Sequence, residues 1–276
     1  MKNGLLICAM ALALGLQSCA EPPQARRAFV APAYSDNIAV VIADIQSADA
    51  RARDGDASGI RALPHNIEVL TRAIDGGAVQ GNALISLRYS RGVARQLLNR
   101  YNDIIGLPID KAMAEAAVAD FLAVAEASGS DDSASGVKAN AIYFAGSVTD
   151  AHLGDTPKAY EYYRQCAEMK QAGCQNVMAT ALLTGRDGIA RDLNASLALH
   201  KEVYETGTTY TCAGSFSARS IAFITHFTNA KLDDRMGLDW LRRGAGLADQ
   251  VKARSGGMDI CNSAGYRVDE YMMPCL

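Results

Sequence analysis

The sequence predicts an all-α chain, an α-solenoid of stacked antiparallel helix pairs with about four units, an N-terminal helix ahead of them and a short C-terminal tail. Three observations point there. Helix-like apolar runs alternate with glycine-containing breaks from about Ser35 onward. Alternating valine-rich strands are nearly absent. A residue pattern also returns at intervals of about 40 residues, the mark of stacked helix pairs. Composition agrees, since 49% apolar and 21% charged residues describe a core-forming protein and exclude a disordered or collagen-like one. With 27 basic against 30 acidic residues there is no positive excess to attract phosphates, so no nucleic-acid partner is expected.

Residues 1–18 have the layout of a signal peptide, with Lys2 as a short basic region and an apolar stretch of 12 residues from Leu5 to Leu16. That stretch falls short of the roughly 20 residues a permanent membrane span needs. Leu16-Gln17-Ser18-Cys19 resembles the lipobox of bacterial lipoproteins, with leucine three places and a small residue one place before the cysteine. The resemblance implies cleavage before Cys19, acylation of Cys19, a mature chain of 258 residues and export to the periplasmic side. Ala20 rather than aspartate after the cysteine implies sorting to the outer membrane. Residues 19–34 carry Pro22, Pro23 and Pro32 without periodicity, which suits a tether. The helical array is expected over 35–255 and the tail over 256–276.

The first helix is expected to open after the cap residues Ser35 and Asp36, to include Ile38–Ile45 and to run to Arg53. The helices after it carry the repeat. Asp155, Ala159, Tyr163 and Cys166 are echoed by Asp192, Ser196, His200 and Val203, and again by Asp233, Gly237, Leu241 and Gly244. The small residues Ala159, Ser196 and Gly237 lie 37 and 41 residues apart, and a fainter copy from Val118 to Gly129 lies 41 upstream. Matching positions follow i, i+3, i+4, i+7 and i+8, one face of a helix. Small residues on that face let a neighbouring helix approach, the large residue between them fills the gap, and each aspartate sits where it can cap its helix. A second set of helices is expected between these, over Gly81 to Arg100, Ser135 to Ser147, Cys174 to Thr184 and Gly214 to Phe227.

In these features the chain resembles the Sel-one-like repeat, a relative of the tetratricopeptide repeat, with small-large-small stripes, a glycine-rich turn and an aspartate opening the second helix. Leu182 to Asp192 match that turn with one extra residue. The resemblance is good over Ser135 to Gln250, weak over Asn66 to Gly129, and fails at Thr228 to Asp233 and after Ser255. Export makes the cysteines candidates for disulfides. Cys166 and Cys174, eight apart across a helix turn, can reach disulfide separation, and their placement looks like that of secreted cysteine-rich members of the family. Of Cys212, Cys261 and Cys275 any two could pair, and Cys212 with Cys261 would staple the tail to the last unit.

Chemical motifs are few. Ser135 and Lys138 fit the S-x-x-K of penicillin-recognising enzymes, but no S-D-N or K-T-G follows, so no catalytic residue is assigned and the pair reads as a helix start. Asp54, Asp56 and Ser58 resemble the opening of a calcium loop, yet its twelfth position is His65, so a polar turn is expected instead. Arg91, Arg95 and Arg100 could hold an anionic partner, although a solvated basic face is the simpler expectation. Tyr160, Tyr162, Tyr163 and Tyr204 read as core and groove residues. No zinc spacing, phosphate loop or nucleophile elbow occurs, and no cofactor is expected. The expected function is a non-enzymatic lipoprotein module of the cell envelope that takes another protein or peptide in its groove. The alternative, implied by the resemblance, is a cell-wall enzyme that interacts with β-lactams.

Overall fold

A computed structural model describes residues 34–129, 132–186, 188–205, 212–228 and 234–254. The chain divides into two units, Met1–Tyr34 and Ser35–Leu276, and the helices described below lie in the second. Among the described residues there are ten α-helices and no strand. They are α1 (Ile38–Arg53), α2 (Ser58–Asp75), α3 (Gly81–Ile104), α4 (Lys111–Ala127), α5 (Asp132–Val148), α6 (Thr156–Glu168), α7 (Ala172–Thr184), α8 (Leu193–Glu205), α9 (Cys212–Thr228) and α10 (Asp234–Arg254). Each packs on the next, so the fold is all-α, built of consecutive helix pairs. No helix of the described residues is long and apolar enough to cross a membrane. The segments expected as signal peptide, tether up to 33 and tail, Cys19 among them, lie outside the described residues.

Capping chemistry sets the helix starts. Asn37, one residue later than the expected caps, opens α1: its Oδ1 accepts from the amides of Ala39 at 3.0 Å and Val40 at 3.4 Å, while Ser35 Oγ accepts from Asn37 N. Asp155 accepts from Lys158 N at 3.1 Å, and Asp192 from Asn194 N and Ala195 N at 3.0 Å, as the stripe pattern predicts. Asp233 lies outside the described residues. Gly154 and Gly185 take left-handed conformations, φ +70° and +69°, where chains leave helical structure. The sequence reading ends the α5 region at Ser147, but helical structure continues through a π-helical turn, Thr149–Leu153. Its π-type bond runs from Gly154 N to Thr149 O, and Asp155 N donates to the same oxygen at 3.1 Å where the chain leaves the helix.

The buried stripe repeats in α4, α6 and α8. Ala117, Phe121 and Val124 are buried in the first, Ala159, Tyr163 and Cys166 in the second, Ser196, His200 and Val203 in the third. The α4 copy therefore stands 42 residues before the α6 copy, not 41, and its inward residues are Ala117 and Phe121 rather than Val118 and Leu122. Val118 and Leu122 fit the same face almost as well by hydropathy, which is why spacing alone misplaces the register by one. Phe121 and Tyr163 each lie against a glycine of the preceding helix. A Cβ on Gly92 would sit 2.9 Å from Phe121 Cε1, and one on Gly146 2.9 Å from Tyr163 Cε1. The rings thus pack directly on α3 and α5 backbone. One apolar cluster joins α1, α2 and α3, a second runs from α4 to α7, and Val93 packs against both.

Candidate functional site

The most polar construction between helices is centred on Asp120, a carboxylate in α4 only 5% exposed. Arg91 in α3 grips both of its oxygens, Nε to Oδ2 at 2.9 Å and Nη2 to Oδ1 at 2.6 Å, and its Nη1 donates to Thr71 Oγ1 of α2 at 3.3 Å. Arg95, one turn further along α3, donates from Nη1 to Asp120 Oδ2 at 2.5 Å and to Ala116 O at 3.2 Å. The side chains of Arg91 and Arg95 are 12% and 15% exposed. The expectation of a solvated basic face is therefore corrected for these two residues, because the i, i+4 pair points into the seam between α3 and α4. Arg100 is separate: it pairs with Asp49 of α1 at 3.4 Å, beside the hydroxyl of Tyr101, which donates to Asp49 Oδ1 at 3.0 Å, and beside Arg53.

A second polar group lies deeper. His200 is fully buried at the stripe position that Phe121 and Tyr163 fill in α4 and α6. Asn176 Oδ1 accepts from Ser217 Oγ at 2.7 Å and lies 3.2 Å from His200 Nδ1, and its amide donates to Ala213 O at 3.2 Å. An accepting oxygen places the imidazole proton on Nδ1. Burial pushes the His200 pKa down to about 3, so the ring is neutral. Serine, asparagine and histidine here do not make a nucleophile and base, since Ser217 gives its proton to the amide oxygen and is sealed from solvent. The cluster is an internal polar joint between α7, α8 and α9.

Other sequence-derived positions resolve individually. Cys166 and Cys174 form a disulfide with a Cα separation of 5.8 Å, tying the end of α6 to the start of α7. Cys212 is itself disulfide-bonded; Cys261 and Cys275 lie outside the described residues. At the calcium-like loop, Asp54 is the C-cap residue of α1 and Asp56 Oδ1 accepts from Ser58 N at 2.9 Å. The Ser58 hydrogen bonds hold the Asp56 carboxyl below its ordinary pKa. That carboxylate serves the start of α2, and His65 stands on α2 facing Asp36 at 3.1 Å. Among the described residues no group of three or more histidine, cysteine or acidic side chains could hold a metal ion. Ser135 lies in the first turn of α5, with its side chain outside the described residues, and Lys138 follows a turn later. Tyr163 is core, while Tyr160, Tyr162 and Tyr204 are half-buried. Burial raises the Tyr163 phenol far above its usual range and pushes Tyr89 up to about 12, so neither is an acid or base at neutral pH.

One surface feature escaped the sequence reading. Ile104, Ile105 and Leu107, at the turn from α3 to α4, are 62%, 68% and 52% exposed. The turn is pinned: Gly106 has φ +76°, Leu107 N donates to Asn102 O at 2.8 Å and Gly106 N to Asp103 O at 3.0 Å. The Asn99 side chain clamps Asp110 on both sides, Nδ2 to Asp110 O at 2.8 Å and Oδ1 from Asp110 N at 2.9 Å. The run Ile104-Ile105-Gly106-Leu107-Pro108 was the signal available, an apolar run broken by Gly and Pro. No protein-family model matches the chain, and neither a curated protein nor a solved structure shows significant similarity to it.

Proposed function

We propose that this chain is a lipid-tethered module of the cell envelope that binds another protein or an extended peptide. The observation that supports binding is the pinned apolar turn, where three large aliphatic side chains within four residues are held more than half exposed. Burying them against a partner contributes on the order of several kcal/mol, with little further ordering cost because the backbone is already fixed. Stacked helix pairs of the Sel-one-like kind commonly offer such surfaces, and Cys19 with the preceding apolar stretch supports the tether.

Two experiments test the two halves. Labelled palmitate should enter the wild-type chain and be lost in Cys19→Ser; equal labelling of both chains would remove the anchor. Mild crosslinking of intact cells followed by affinity purification should recover a defined envelope protein with wild type and not with Ile105→Asp. If nothing is recovered and the chain instead shows saturable acylation by a labelled penicillin that is lost in Ser135→Ala, the cell-wall enzyme replaces the binding module.

A further inference from the structure

The Asp120 cluster carries one cation more than its construction needs. Arg91 alone satisfies both carboxylate oxygens of Asp120 and ties α3 to α2 and α4. Arg95 adds a second guanidinium to an oxygen already taken, leaving the trio at net +1 inside a seam where each member is at most 15% exposed. Burial, and after it the adjoining Arg91 charge, hold the Arg95 pKa below its ordinary value against the attraction of Asp120. The residue stays a cation, so this placement costs stability that an apolar side chain of similar size would not cost.

Its geometry indicates a use for that charge. Among the described residues, Arg95 makes its hydrogen bonds through Nη1 alone. Its Nε and Nη2, the edge that presents two parallel N–H groups, take no hydrogen bond among the described residues, and the side chain keeps 15% of its surface exposed. Asp75, exposed at the end of α2, adds to the field at Arg95 without hydrogen-bonding to it. One guanidinium edge held rigid by Asp120 and Ala116 matches the two oxygens of a planar carboxylate. We propose that the outer edge of Arg95 is a recognition point for a carboxylate, supplied either by a bound peptide or by a free organic acid. The proposal rests on charge and geometry at α3 and α4 and stands apart from the partner of the apolar turn.

The Nε–H resonance of Arg95 in the ¹⁵N-labelled full-length chain reads it directly. Sodium acetate, a blocked Gly-Glu-Gly peptide, its Gly-Gln-Gly counterpart and sodium chloride at matched ionic strength are the probes. Acetate and the glutamate peptide should both move the Arg95 signal saturably, with the glutamine peptide and chloride about tenfold weaker and the Arg91 signal nearly still. A response to acetate without the peptide supports the site and assigns it to a free acid; a response to both opens it to peptides. In the variants the backbone amide of residue 95 and the Ala116 region are the reporter: Arg95→Gln should abolish the saturable shift that wild type shows there while Arg91 still holds Asp120. Arg95→Lys keeps the charge without the fork and should bind several-fold more weakly. Equal movement with chloride, no saturable movement, or a lysine variant equal to wild type would overturn the proposal.

Discussion

His200 shows what one residue does when it enters a position built for an aromatic ring. Its burial keeps the imidazole neutral, with a pKa of about 3 against 6.5 unperturbed. The unfolded chain takes up the proton near pH 6.5 and the folded chain only near pH 3. Stability is therefore full above about pH 6.5 and falls as pH drops toward 3, by up to about 1.4 kcal/mol per pH unit. Urea unfolding at pH 6.5 and 5 should show wild type losing about 2 kcal/mol more than His200→Phe over that interval; equal losses would place the titration elsewhere. Gly92 makes a steric prediction at the same scale. Gly92→Ala should cost about 1–3 kcal/mol because Phe121 is sealed and cannot move away. Gly136→Ala, with nothing within 4 Å of its Cβ, should be neutral or stabilise by about 0.5–1 kcal/mol. The stripes of α6 and α8 were legible from spacing, since burying one helix face requires that periodicity, whereas the α4 stripe was placed one residue off. The partners of Asn176 were not, because His200 lies 24 and Ser217 41 residues further along and only folding brings them together.

At the scale of elements, helix starts were legible at Asp155 and Asp192, because a cap acts through residues two or three places away. Seams between helices were less so. Arg91 and Arg95 looked like a basic face because their shared carboxylate, Asp120, belongs to another helix. Asp120→Asn should destabilise by about 3–5 kcal/mol, seen as a lower urea midpoint, since it leaves two mostly buried guanidinium groups without a counter-charge. The Cys166–Cys174 link was legible from its eight-residue spacing across a turn. Closing so short a loop contributes about 2.5 kcal/mol, so the Cys166→Ala/Cys174→Ala double variant should unfold at correspondingly lower urea. The π turn after α5 had no sequence signal, because its residues are as compatible with ordinary α-helix.

For the whole molecule, pairwise packing along the chain means that stability is shared between neighbours; about four units with an extra helix in front were expected, and ten consecutively packed helices stand among the described residues. Fold class was legible because helix periodicity, glycine breaks and the returning stripe agree with one another. Function was less legible, because exposed surface leaves no periodic trace, and the apolar turn stands out only when its exposure is known. The central claim is that this surface meets another protein. A photo-reactive side chain at Ile105, compared in intact cells with one at the exposed Glu115 of α4, tests it most directly. One discrete higher-mass adduct from position 105 that is missing from position 115 is the predicted result; no adduct at 105, or the same adducts from both positions, would contradict it.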